Sequence, residues 1–243
     1  VKLVYFIYGV AVYVMFVGTF AYSVGFVGNF LVPKSMDTGT PGPLLPALAM
    51  NLFLLGVFAI QHSVMARPAF KRWWTTFVPA VIERSTYILF TNLALILLFW
   101  LWRPMGPVIW DVSGSAFEPV LWGICALGWV IVFISTCLID HFDLMGLRQV
   151  TLNLRGLPYT GKPFKTPLFY QYVRHPIYVG FTIAFWATPV MTLAHLVFAI
   201  GSTGYVVIGA MLEERDLIAH FGDRYRAYKA QVPMLIPRLR RKS

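Results

Sequence analysis

Apolar residues run through this chain in long unbroken stretches, and polar residues collect between them. Stretches at about 3–32, 44–66, 86–102 and 118–139 are each near the length needed to cross a bilayer, which takes roughly 20 residues at 1.5 Å each. A fifth stretch, 176–212, is too long for one crossing. Pro189, with Thr188 and Thr192 around it, marks where that stretch folds back, because proline breaks a helix and polar neighbours favour a turn. The pattern predicts an all-α integral membrane protein with five or six transmembrane helices. The last pair forms a helical hairpin whose two legs are slightly short. The first stretch exceeds the apolar segment of a secretory signal, and no small-x-small pattern follows it, so it is expected to remain as a helix.

Composition agrees with this class. The hydrophobic fraction is 58% and the charged fraction 12%, with a mean hydropathy of +0.68, whereas about a quarter of the residues of a soluble domain are charged. A net charge of +10 raises nucleic acid as a partner, yet the cations follow topology. Loop 66–85 carries Arg67, Lys71, Arg72 and Arg84, and loop 140–175 carries Arg148, Arg155, Lys162, Lys165 and Arg174. The tail adds Arg215, Arg224, Arg226, Lys229, Arg238, Arg240, Arg241 and Lys242, and Lys2 lies at the other end. The positive-inside rule places all of these in the cytoplasm, with both termini, and leaves only Lys34 and Arg103 outside. The expected partner is the lipid bilayer, not nucleic acid. Cys125 and Cys137 sit twelve residues apart on one predicted helix, about 18 Å along its axis, too far for a disulfide between them.

The chain reads as one membrane domain over 1–243, with transmembrane helices in 1–142 and a loop, the hairpin and a C-terminal helix in 143–243. Gly18, Ala21, Gly25 and Gly28 share one face of the first helix, a pattern that favours close helix packing. Trp73 and Trp74 beside Lys71 and Arg72 have the composition of a membrane-surface anchor. The segment "TLNLRGLPYTGKPFKTP" has no hydrophobic periodicity; a loop of this length is either disordered or part of a site. Leu217, Phe221, Tyr225 and Tyr228 then predict an amphipathic cytoplasmic helix, with a break at Gly222. No glycine-rich dinucleotide fingerprint and no P-loop is present.

Polar groups at membrane helices are costly and are functional candidates. Here they gather at the cytoplasmic helix ends: Gln61 and His62, Glu83 and Arg84, Asp140, His141 and Asp143, Arg148 and Gln149, Arg174 and His175, Glu213 and Glu214. A hairpin over 176–212 brings Arg174 and His175 to face Glu213 and Glu214. An ion-pair clasp and a binding site both satisfy that juxtaposition. The five histidines occur singly, without the short-spaced ligand pairs of a metal centre, so no metal is expected. His195 falls at the far turn, where a structural role is expected. Nothing supports a hydrolytic triad, and only Asn51 and Asn92 occupy helix centres, against an ion transporter.

The string "Y-x-x-V-R-H-P-I-Y-V-G", followed past the hairpin by "E-E-x-x-L-I-x-x-F-G-x-x-Y-x-x-Y-x-x-x-V-P-x-x-I-P", resembles the isoprenylcysteine carboxyl methyltransferase superfamily of integral membrane enzymes over about 165–237. The resemblance implies S-adenosylmethionine bound at the cytoplasmic surface under the C-terminal helix. It implies contacts at Tyr170, His175, Pro176, Ile177, Tyr178 and Glu213, with Lys165 in the preceding loop. The residue types fit that ligand. Arg174, His175 and the helix N-terminus at Pro176 suit its carboxylate, Glu213 beside Glu214 suits its ribose or ammonium, and Gly180 permits close approach of backbone or ligand. Prenylcysteine enzymes carry an arginine about one turn before the glutamate where this chain has Gly209, which argues against a carboxyl acceptor. The amino-terminal half, through "QHSVMARPAFKRWW", "ERSTYILF" and "DHFDLMGLRQ", is similar to the bacterial methanethiol S-methyltransferases and the NnrU-like proteins. That resemblance implies methanethiol as acceptor and dimethyl sulfide as product. A lipid or prenylcysteine acceptor, and a non-enzymatic accessory role, are the alternatives.

Methyl transfer from a sulfonium is an in-line displacement in which alignment dominates. A small thiol is mostly protonated at neutral pH, since a cysteine thiol has a pKa of about 8.5, so a base or a cation is needed. The helix ends offer His62, Glu83 with Arg84, and Asp140, His141 and Asp143. His141 or a neighbouring aspartate is the expected proton acceptor, with Arg84 or Arg148 organising charge and Leu144 and Met145 lining an apolar pocket.

Overall fold

The computed structural model describes residues 1–237, so the tail cations Arg238, Arg240, Arg241 and Lys242 lie outside the described residues. Five helices are long and apolar enough to cross a membrane: α1 (Lys2–Gly28), α2 (Leu44–Ala66), α4 (Ala80–Leu101), α5 (Phe117–Ile139) and α9 (Leu193–Phe221). Between α2 and α4 lies the short α3 (Pro68–Trp74), which starts on a proline at its first turn, where a missing N–H costs nothing. After α5 come α6 (His141–Leu144), α7 (Leu147–Leu154) and a single 3₁₀ turn, Leu168–Gln171. The eleven-residue α8 (Pro176–Trp186) precedes α9, and α10 (Asp223–Gln231) closes the described chain.

The hairpin forms, with unequal legs. Its first leg, α8, covers about 16 Å at 1.5 Å per residue, and its second, α9, runs for 29 residues and is not short. The chain completes the first crossing in extended form. Strand β2 (Val190–Thr192) pairs antiparallel with β1 (Val108–Asp111), in the register Val108 to Thr192 and Asp111 to Val190. Val112 N–H donates to Pro189 O at 3.0 Å and Leu193 N–H to Pro107 O at 2.9 Å. Thr192 Oγ1 donates to Asp37 at 2.6 Å, tying the turn to the α1–α2 loop. Backbone polar groups that α8 is too short to satisfy are thus paired within the protein, as hydrocarbon requires. Asn51 serves the same face, exchanging hydrogen bonds with the backbone of Arg103 at 2.8 and 2.9 Å.

Three further sequence expectations change. Helix α4 begins at Ala80, six residues before its apolar stretch, so Glu83 and Arg84 stand on its first turns and not in a loop. The segment after α6 is helical through Leu154, because Leu147 to Leu154 is amphipathic and lays Val150 against Gly9 of α1. The small-residue stripe on α1 packs only at its end, and against a loop: Gly18 and Ala21 are exposed, while Gly25 and Gly28 admit Val32 and Phe30 of the following segment. Gly180 does permit close approach, and what approaches it is protein backbone. A methyl group there would lie 2.7 Å from Gly128 O of α5, and one on Gly128 would lie 2.6 Å from Ala184 N, so the two glycines let α5 and α8 touch.

One apolar core, around Phe26, Leu54, Leu98, Trp102, Ala184 and Phe198, fills the half towards the β1–β2 ribbon. A second, with Val12, Met65, Tyr87, Ile88 and Met145, lies towards α6 and α7. His195 is buried and its Nε2 sits 2.8 Å from Phe185 O, a structural contact. The cysteines are unbonded.

Candidate active site

The charged groups named at the helix ends separate into distinct constellations on the face opposite the β ribbon. The first is built by the two ends of the hairpin. Arg174 Nε donates to Glu214 Oε1 at 2.6 Å, His175 Nε2 donates to the same oxygen at 3.2 Å, and Lys229 of α10 reaches Glu214 Oε2 at 2.7 Å. Arg174 and Glu214 are sealed, with side chains 8% and 3% exposed. Arg174 also donates to Lys229 O at 3.2 Å and to Val232 O. Backbone N–H groups of Arg174 and His175 bind Pro233 O and Met234 O. These contacts latch α10 and the following segment over the hairpin ends.

Glu213, one residue earlier, is turned differently. Its side chain is 43% exposed, Tyr178 OH donates to it at 2.9 Å, and His175 Nδ1 lies 3.6 Å away. The His175 and Tyr178 rings stack at 5.2 Å and 13°. Pro176 opens α8 and Ile177 follows half-buried beside it. Tyr170 is buried, with its OH on Ser135 O at 3.4 Å and its own carbonyl accepting from Tyr228 OH at 2.5 Å. Burial raises the Tyr170 phenol, and burial, partly opposed by the Arg174 charge, pushes Tyr228 up to about 12. Lys165 lies apart in a groove of ≈ 600 Å³ with Phe164, Arg224, Tyr228 and Gln231.

The second constellation follows α5. Asp140 caps α6 by accepting from Asp143 N–H at 3.1 Å and binds Lys162 at 2.5 Å. Burial pushes the Asp140 carboxyl up, but the hydrogen bonds of Lys162 and Asp143 outweigh it and hold it below the usual carboxylate range. Asp143 pairs with Arg148 at 3.0 Å. His141 is enclosed by Tyr13, Phe16, Phe133 and Phe142, and its burial, partly offset by Asp140, lowers its affinity for a proton. A cleft of ≈ 600 Å³ brings together Glu83, Asp143, Gln149, Asn153, Lys71 and Arg84. Arg84 donates to Leu144 O at 2.8 Å and lies 5.2 Å over the Tyr87 ring.

The third constellation is inside the helices. His62 of α2 meets Tyr87 OH of α4 at 2.8 Å and Thr91 Oγ1 at 3.1 Å. Tyr87, Thr91 and Tyr205 were not singled out from sequence. The only signal was their phase, since 87 and 91 share a helix face and 205 lies two turns before 213. Among the described residues, no group of three His, Cys, Asp or Glu side chains is placed to hold a metal ion.

The fold is that of a polytopic helical membrane protein, with polar and aromatic side chains gathered at one helix-end face. Comparison with known proteins resolves the class. The chain is 55% identical over 231 residues to a methanethiol S-methyltransferase of Mycobacterium tuberculosis, covering 95% of each chain. It is 53% identical over 237 residues to one of Crocosphaera subtropica, covering 98% of this chain and 93% of that one. It is also 31% identical over 182 residues to nurim of Mus musculus, covering 72% and 69%. No family profile matches the chain, and no solved structure does. The chain belongs to the methanethiol S-methyltransferase family of integral membrane methyltransferases.

Proposed function

We propose that the protein transfers the methyl group of S-adenosylmethionine to a small thiol, methanethiol, giving dimethyl sulfide at the cytoplasmic surface of the bacterial inner membrane. Relatives at about half identity are named methanethiol S-methyltransferases. The observation that carries the reading is the constellation of Glu213, Tyr178 and His175: an accessible carboxylate beside two stacked rings, under a latched C-terminal helix.

These residues fit the donor. Bound there, it supplies an electrophilic methyl on a positively charged sulfur. Glu213 accepts from the ribose hydroxyls or the ammonium, and the His175–Tyr178 ring pair offers a flat face for the adenine. Pro176 and Ile177 open α8, whose first-turn N–H groups favour a carboxylate. Arg174, Glu214 and Lys229 act chiefly in the latch, so Lys165 and Arg224 of the adjoining groove supply positive charge. Tyr170 holds the floor. Glu83, Arg84, Asp143 and Arg148 shape the neighbouring cleft, and Asp140 with His141 anchors the α5–α6 corner. Cations cluster on this face, from Lys2, beside Gly156, to Lys162 and Arg224, which supports its cytoplasmic orientation under the positive-inside rule.

The test is incubation of the purified protein with methyl-labelled S-adenosylmethionine and, separately, methanethiol, hydrogen sulfide and a prenylcysteine. Labelled dimethyl sulfide from methanethiol is the expected product. A protein that binds the donor but labels only the prenylcysteine would refute the acceptor, and one that binds no donor would refute the reading entirely.

A further inference from the structure

A thiol must lose its proton as its sulfur attacks, and two half-buried histidines, His62 and His141, sit in matching hydrogen-bond chains. Thr91 Oγ1 donates to Tyr87 O at 3.0 Å, so it accepts from His62 Nδ1 at 3.1 Å. His62 Nε2 is left as an acceptor for the Tyr87 phenol, 2.8 Å away; the same phenol lies 3.0 Å from Nδ1. Thr136 likewise donates to Phe133 O at 2.7 Å and lies 3.0 Å from His141 Nδ1, while Tyr13 OH is 3.1 Å from His141 Nε2. In each, the threonine fixes the tautomer that presents a basic nitrogen to a tyrosine.

Their surroundings separate them. His141 is enclosed by rings of α1, α5 and α6. His62 stacks on Phe58 at 5.3 Å and meets Tyr205 of α9 edge-on at 6.4 Å. Tyr205 and Glu213 share a face of α9 with Gly209 between them, and a methyl group on Gly209 would meet no atom within 4 Å. Tyr205 also meets Phe58 of α2 edge-on at 5.7 Å, and Arg84 lies over the Tyr87 ring at 5.2 Å. Of the two chains, the Tyr87 one meets α9, the helix that carries Glu213, through the contact of His62 with Tyr205.

We propose that Tyr87, backed by His62 and Thr91, takes the proton of the acceptor thiol in a small chamber between α2, α4 and α9 that Gly209 leaves open. The proposal rests on the methyl-transfer reading. The acceptor sulfur's electron pair forms the new S–CH₃ bond, and the pair of the breaking bond returns to the donor's sulfur. The S–H proton passes to the Tyr87 oxygen as the phenol's own proton passes to His62 Nε2, and water later removes it. Tyr87 is the catalytic residue, and His62 and Thr91 are positioning residues acting through it.

The test uses Tyr87→Phe, His62→Gln, Gly209→Leu and Tyr13→Phe in the full chain, reading labelled-donor binding and turnover separately. Tyr87→Phe and His62→Gln should bind donor like the wild type and lose about 10²-fold or more in kcat with methanethiol. Supplying thiolate should restore most of that loss, whether as trifluoroethanethiol or, where the wild type does not accept that thiol, as methanethiol at about pH 9. Gly209→Leu should lose kcat/KM for the thiol with donor binding kept, and Tyr13→Phe should stay within about twofold of the wild type. Three results would each overturn the relay: kcat within twofold in both relay variants, a loss that thiolate does not relieve, or an equal loss in Tyr13→Phe. A wild type that binds no donor overturns the methyl-transfer reading and the relay with it.

Discussion

Arg174 and Glu214, forty positions apart, close a 2.6 Å ion pair that is almost wholly shielded from solvent. The pair holds the two ends of the α8–α9 hairpin together, and through Lys229 it also holds α10. Removing one partner of such a pair leaves the other charge buried and uncompensated, which costs about 3–5 kcal/mol. Arg174→Met should therefore lower the unfolding temperature in detergent sharply, while Lys229→Met, whose side chain is 45% exposed, should change it little. Equal shifts in the two variants would contradict the latch.

Glu213 is the freer of the adjacent glutamates, held by Tyr178 at 2.9 Å with its side chain partly in solvent. Glu213→Gln is expected to weaken methyl-donor binding about tenfold or more, the loss of a charge-assisted hydrogen bond. Thermal stability should hold. Isothermal titration with S-adenosylmethionine or its demethylated product reads the first, and a melting curve the second.

Asp140 sets a pH dependence. Its folded-state carboxyl is held below the usual range, so the unfolded chain binds its proton more readily. The stability it contributes is complete above the ordinary carboxylate pKa of about 3.9 and is lost as pH falls through the lowered folded value. Proteolysis near Lys162 by an acid-active protease should accelerate as pH drops through that window. Asp140→Asn should cleave readily at every pH, and a pH response unchanged in that variant would dismiss the tie to Lys162.

Gly128 and Gly180 stand where α5 and α8 meet backbone to backbone. Gly128→Val must push α8 away, since its Cβ alone would sit 2.6 Å from a backbone nitrogen. Overpacking of this kind costs about 1–3 kcal/mol or more, and lower yield of folded protein with loss of donor binding is the expected readout. Gly123→Ala, with open space around it, serves as the neutral comparison.

The helices were legible because a bilayer demands long apolar stretches, and 44–66 agrees with α2 residue for residue. The break at Gly222 was legible too, from glycine's tolerance of the φ of 58° found there. The start of α4 was not, because Glu83 and Arg84 are polar and the turn that carries them is stabilised by contacts made elsewhere, such as Arg84 with Leu144 O. Proximity of the hairpin ends followed from topology. Which glutamate is sealed and which is accessible did not, because adjacent residues on a helix differ by about 100° in direction and only packing decides which face is covered. Tyr87 and Tyr205 were hidden for a related reason: one aromatic in an apolar helix looks like any other until a histidine is seen against it.

The β1–β2 ribbon gives the molecule an order of construction. Residues 108–111 are synthesised well before 190–192, and the short α8 depends on them to satisfy the backbone beyond its end. The last two crossings therefore have no comfortable resting state in lipid until the earlier part of the chain has reached the far side. The groups on α8 and α9 proposed to hold the methyl donor are thus assembled only against a completed amino-terminal half, so a chain mis-inserted before β1 would be left without the proposed site.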